Sequence, residues 1–143
     1  MIRSEAQHQE AMRRLAEERK RLVQHRGRLK SAGLSPAQLK RALDPLRTCH
    51  LQLREEVESY QRLKRGDFGE LVNFDGLGRL LVAVRIASGL TQRELAERLD
   101  VHESQISRDE RNEYHNITVE RATRVLEAMH AQLRSVVRLT DAA

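Results

Sequence analysis

Residues 92–107 read QRELAERLDVHESQIS, and this stretch decides the fold. Thr91 stands just before it with Glu94 three residues on, the reciprocal side-chain and backbone pairing of a capping box, so a short helix is predicted over 92–99. Asp100 follows the last apolar position and ends that helix; a second short helix is predicted over 102–112. Leu95, Leu99, Val101 and Ile106 are the large apolar residues of the stretch, and Ala96 is a small one among them.

Working outward, Thr118 is an N-cap for a helix over 119–130, with 132–139 as its continuation or as a further helix. On the other side, a helix is predicted over 76–87, capped by Asp75 and stopped at Ser88-Gly89. The segment RGDFGELVNFDGLG, starting at Arg65, holds four of the seven glycines and reads as a hinge over 67–75, with part of Phe68, Leu71, Val72 and Phe74 docked.

Ahead of the hinge lies a different pattern. Leu15, Leu22 and Leu29 recur every seven residues, so a long helix is predicted from Ile2 to Leu29 or Lys30, with Gly33 just past its end. Ser35-Pro36-Ala37-Gln38 starts a second helix, with Ser35 as cap, Pro36 at the first position and Gln38 completing a capping box. Asp44-Pro45 repeats the start signal, so a kink, or an end near Leu43 and a new start, is expected there. Beyond it Leu46, His50, Leu53, Val57 and Tyr60 form an apolar stripe of coiled-coil type. Two long helices with a short turn fold back as an antiparallel hairpin, closed within one chain or exchanged between two. The expected class is therefore all-α: an N-terminal hairpin over 1–66 for oligomerisation or partner binding, the hinge 67–75, and a four- to five-helix domain over 76–143.

Composition agrees with helices. The 143 residues are 39% hydrophobic and 33% charged, with two prolines and no tryptophan. No apolar run reaches membrane-spanning length, and the opening MIRSEAQHQEAMRR lacks the apolar core of a secretory signal. One cysteine, Cys49, forms no internal disulfide and fits a reducing cytoplasm. The six histidines show no metal-ligand spacing, so neither metal nor other cofactor is expected, and His50 is read as a core or interface residue. No phosphate loop, nucleophile–base pair or carboxylate pair argues for an enzyme. The net charge is +5, placed unevenly: residues 1–74 carry 16 Lys/Arg against 10 Asp/Glu, and residues 75–143 carry 10 against 11. Arg13, Arg14, Arg19, Lys20, Arg21, Arg26, Arg28 and Lys30 cluster on the first helix, where they could follow a DNA backbone, grip an acidic partner or form a solvated face.

The stretch QRELAERLDVHESQIS, with RIASGLTQ before it and SRDERN after it, resembles the helix-turn-helix of Cro/repressor-type (XRE-like) regulators, from about Leu80 to Leu126. Where that family has glycine at two turns, this chain has Asp100 and Asn112, residues that tolerate positive φ. The resemblance implies that the helix over 102–112 enters the DNA major groove, with His102, Glu103, Ser104 and Arg108 at base edges. Gln92 and Thr91, with Gln105 and Arg111, would contact the backbone. It also implies a structural ion pair between Arg85 and Glu110.

The function implied is a sequence-specific DNA-binding transcription regulator, a homodimeric repressor on an inverted-repeat operator, cytoplasmic and nucleoid-associated, with no membrane partner. Leu15, Leu22, Leu29, Leu46, Leu53, Val57 and Tyr60 would form the dimer or partner stripe. The alternative is an antitoxin of a toxin–antitoxin operon, or a protein-bridging factor, whose N-terminal helices bind a protein such as a toxin.

Overall fold

The computed structural model describes residues 1–141 and is all-helical, with six helices and no strand among the described residues. They are α1 (Glu5–Ser31), α2 (Pro36–Lys64), α3 (Leu77–Ala87), α4 (Gln92–Leu99), α5 (Glu103–Arg111) and α6 (Val119–Ala128). The chain divides into two compact units, Met1–Asp67 and Phe68–Ala143. No helix among the described residues is long and apolar enough to cross a membrane.

In the first unit α1 and α2 pack as an antiparallel hairpin, closed within the chain. The register is visible in its cross-helix pairs: Lys64 Nζ donates to Glu5 Oε2 at 2.6 Å, and His50 Nδ1 lies 3.6 Å from Glu18 Oε2. His8 stacks on Tyr60 with ring centroids 4.8 Å apart, and its Nε2 lies 3.5 Å from Gln61 Nε2. The helix starts at Glu5, not Ile2, because the Ser4 hydroxyl accepts from the Gln7 amide and fixes the cap there. Ser35 and Gln38 make both bonds of their capping box. At Pro45 the expected end does not occur: α2 runs through it. Proline removes one backbone donor and costs about 3 kcal/mol in a helix interior. Burial of Leu43, Val57 and Tyr60 against α1 opposes that cost, and the Thr48 hydroxyl donates to the Asp44 carbonyl at 2.9 Å.

The seam is thin. Ile2, Ala11, Leu43, Val57 and Tyr60 are buried, whereas Leu15, Leu22, Leu29 and Leu53 are half-buried. Leu46 of the expected stripe stands outside the seam, 46% exposed.

The second unit has the thicker core, built from Leu81, Val82, Leu95, Ala96, Ile106 and Val125. Helix α3 packs against α5 and α6, and α4 packs against both of the same helices. Two expectations about its ends need correcting. Asp75 is not the cap of α3: Gly76 holds that position at φ +80, with no side-chain cap bond. The Asp75 amide instead donates to the Val72 carbonyl, in a turn that puts Asn73 and Phe74 at positive φ. Helix α6 stops at Ala128, and residues 132–139 neither continue it nor form a further helix. His130 adopts φ +55, its amide bonds the Glu127 carbonyl and the Ala131 amide bonds the Leu126 carbonyl. That is a Schellman motif, which turns the chain out of the helix. Phe68, Val72 and Phe74 of the glycine-rich segment are exposed rather than docked, and Leu71 is half-buried.

Candidate nucleic-acid interface

Helices α4 and α5 are joined by Asp100, Val101 and His102. Thr91 caps α4 in both directions: its hydroxyl accepts from the Glu94 amide at 3.1 Å, and its own amide donates to Glu94 Oε2 at 2.7 Å. The Thr91 amide, and the Thr91 hydroxyl donating to the same oxygen at 3.0 Å, hold the Glu94 carboxyl below the usual carboxylate range. Asp100 turns the chain at φ +54. Leu95, Ala96 and Ile106 are almost wholly buried, with Leu99 and Val101 half-buried around them, which fixes the angle between the helices.

At the start of α5, His102 is the cap: its Nδ1 accepts from the Ser104 amide at 3.1 Å and lies 2.8 Å from the Ser104 hydroxyl. An accepting Nδ1 places the ring hydrogen on Nε2, so the far edge of the imidazole presents a donor. His102, Glu103, Ser104, Gln105, Arg108 and Arg111 are all exposed. Ile106 and Glu110, on the opposite side of α5, are buried. Glu103, Gln105, Arg108 and Arg111 engage in no side-chain hydrogen bond or ion pair among the described residues. One face of α5 is therefore held and the other is chemically uncommitted.

What holds it is Glu110, 0% exposed. Arg85 of α3 grips it at both oxygens, through Nε to Oε1 and through Nη2 to Oε2 at 2.9 Å. Arg85 Nη1 also donates to the Leu90 carbonyl at 2.8 Å, in the turn before α4. Gln92, half-buried, donates from Nε2 to Glu110 Oε2 at 2.7 Å. One of its amide hydrogens is thus engaged inside the protein, and its remaining hydrogen, its side-chain carbonyl and the N-terminal amides of α4 are what it can offer a phosphate.

Several positions that shape this surface carry no plain signal in the sequence. Gly78 sits in the glycine-rich run that reads as a hinge, but its role is packing. A Cβ there would lie 1.7 Å from the Glu113 carbonyl oxygen and 3.3 Å from Tyr114 Cβ, so α3 touches the backbone of the turn that ends α5. That turn is also displaced from expectation. Asn112 has φ −89, and the left-handed residues are Glu113 at +53 and Tyr114 at +50. The Tyr114 side chain is buried, and with it the turn moves one residue along. Arg121 of α6 pairs with Asp109 of α5, and Arg98 of α4 donates to the Ala128 carbonyl at the end of α6 at 2.8 Å.

A short helix capped and turned into a second, whose inner side is anchored and outer side left open, defines a helix-turn-helix module. Residues 81–134 match the model of a helix-turn-helix family. That model, matched in the C-terminal half, is of the Cro/repressor-type, XRE-like helix-turn-helix, a family of DNA-binding regulators. Neither the curated proteins nor the solved structures provide a match to the chain.

Proposed function

We propose that this protein is a sequence-specific DNA-binding transcription regulator, a dimeric repressor that places α5 in the major groove of each half of an inverted repeat. The observation that carries the reading is the two-sided state of α5: Glu110 clamped by Arg85 and Gln92 within, and Glu103, Gln105, Arg108 and Arg111 uncommitted without. Arg108 stands one turn beyond Ser104 on the exposed face, and a guanidinium there can bond bidentately to guanine, worth about 1–3 kcal/mol of discrimination. His102 Nε2 offers a donor and Glu103 an acceptor at the helix start. Gln92, Thr91 and the N-terminus of α4 meet phosphate, with Gln105 and Arg111 at the groove wall.

The module's own charge is 10 Lys/Arg against 11 Asp/Glu over residues 75–143, so placed contacts rather than bulk attraction supply its preference. In a symmetric dimer two such helices about 34 Å apart meet successive turns of one face of the duplex. Selection of bound duplexes from random sequence, with oligomer mass measured on the same sample, tests the whole reading. A palindromic consensus and a dimer mass support it. Arg108→Ala should weaken binding to that consensus by about 1–3 kcal/mol and relax preference at a single position of each half-site. An unchanged preference after that substitution removes Arg108 from the reading set.

A further inference from the structure

The hairpin of α1 and α2 has its charge separated end from end. Between residues 19 and 54, the half nearest the turn, there are ten Lys/Arg and one Asp/Glu. The remainder of residues 1–67 holds six Lys/Arg against eight Asp/Glu. All ten cations of the turn end are exposed. Among the described residues only Arg54 of these has an ion-pair partner, Glu58 at 3.1 Å. The other Lys/Arg ion pairs of the hairpin lie toward the open end, at Glu5–Lys64, Glu10–Arg13 and Glu18–Arg14.

Helix periodicity gathers much of this charge on one flank. Arg26 lies 18 residues beyond His8, which is about five whole turns, and Arg19 and Lys30 fall beside it. Arg54 and Arg47 lie about two and four turns before Gln61, and Lys40 two turns before Arg47. His8 and Gln61 approach each other across the seam at 3.5 Å, so the two rows run along the same flank of the hairpin. From Lys40 to Arg54 the row extends roughly 21 Å. Exposed like charges at this density oppose a hairpin whose seam is thin, and Asp44 is the one acidic residue of that stretch.

We infer that the turn end of the hairpin, with Arg19, Arg26, Lys30, Lys40, Arg47 and Arg54 at its centre, is a second DNA-contacting surface that binds phosphates without regard to sequence. Most of the ten cations are arginine, whose planar fork suits phosphate oxygens. A straight row of this length matches about six base pairs of one strand at 3.4 Å per step. The helix-turn-helix unit lacks net positive charge, and the hairpin supplies it. This inference builds on the reading that α5 engages DNA, and its test separates the two.

The test measures the salt dependence of full-length protein binding to a random-sequence duplex and to its selected consensus. Arg26→Gln, Lys40→Gln and Arg47→Gln combined should lower the slope of log K against log salt by about 2–3, at about 0.9 for each phosphate left without its cation. Affinity for random duplex should fall at least about tenfold at low salt, with the base preference unchanged. A control with equal charge loss at the open end, Arg13→Gln, Arg62→Gln and Arg65→Gln, should leave the slope nearly as it was. Arg26→Lys with Arg47→Lys, which keeps the charge, should retain it. Circular dichroism establishes that each variant keeps its helices. If both triple variants lower the slope equally, or neither does, the inference is overturned while sequence-selective binding through α5 stands. If the unmodified protein binds neither duplex, the proposed function fails and this surface with it.

Discussion

Glu110 receives hydrogen bonds from two other stretches of the chain, Arg85 on α3 and Gln92 at the start of α4, and is closed off from solvent. An enclosed carboxylate is tolerable only while those donors remain, because a stranded charge in such a place costs about 3–5 kcal/mol. Arg85→Met or Glu110→Leu alone should therefore each lower unfolding free energy by roughly that amount. Made together they remove both charges and leave neutral groups unpaired, among them the Gln92 amide and the Leu90 carbonyl, at about 1–3 kcal/mol each. The double variant should be less damaged than the sum of the single ones, by at least about 2 kcal/mol of coupling in a urea-denaturation cycle. Simple additivity would mean that the pair does not act as one structural unit.

At the scale of elements, all six helices end in the same way. Just past each end one residue turns left-handed, and the residue after it bonds back five residues, as in Leu34 to Leu29, Asp67 to Arg62, Leu90 to Arg85, Val101 to Ala96, Tyr114 to Asp109 and Ala131 to Leu126. The left-handed position is glycine in the first three, Gly33, Gly66 and Gly89, and Asp100, Glu113 and His130 in the last three. The glutamate is the least suited of these to positive φ. Glu113→Gly should stabilise the protein by about 0.5–1 kcal/mol, the relief of left-handed strain less the greater freedom of glycine when unfolded, read from the shift of a denaturation midpoint. This pattern also explains which features are legible in the sequence. The capping boxes at Ser35 and Thr91 are closed by residues three apart and can be read from spacing alone. The left-handed turn after α5 falls one residue later than the sequence suggests because the buried Tyr114 decides it, and that is a tertiary fact. Pro45 and Gly78 mislead for the same reason: their local meaning yields to what packs beside them. At the open end of the hairpin, the Lys64 ammonium above all, with Gln9, holds the Glu5 carboxyl down to about 2 from its ordinary 4.5. A lowered native value stabilises the folded form above the unfolded one's range and is lost as pH falls through it. The stability advantage of the natural protein over Glu5→Gln should be level above pH 4.5 and shrink as pH falls toward 2.

For the molecule as a whole, each unit carries its own core: the hairpin a single seam around Leu43, Val57 and Tyr60, the helix-turn-helix a closed cluster around Leu81, Leu95 and Ile106. Free energies of local opening follow buried apolar contact, so the hairpin amides should exchange with solvent more readily than those of α3 and α5. Gly78→Ala offers a way to load one unit alone. The added methyl group would meet the Glu113 carbonyl at 1.7 Å, and what must give is backbone, in a turn already held at positive φ. Overpacking against a flexible side chain costs about 1–3 kcal/mol, and against fixed backbone the upper part of that range or more is expected. In hydrogen exchange of the full chain the protection of α3, α4, α5 and α6 should fall by that amount, while the slowest amides of α1 and α2 keep their rates. A matching loss in the hairpin would mean that the two cores unfold as one cooperative body, and that the boundary at Asp67 separates two packed units without separating their stabilities.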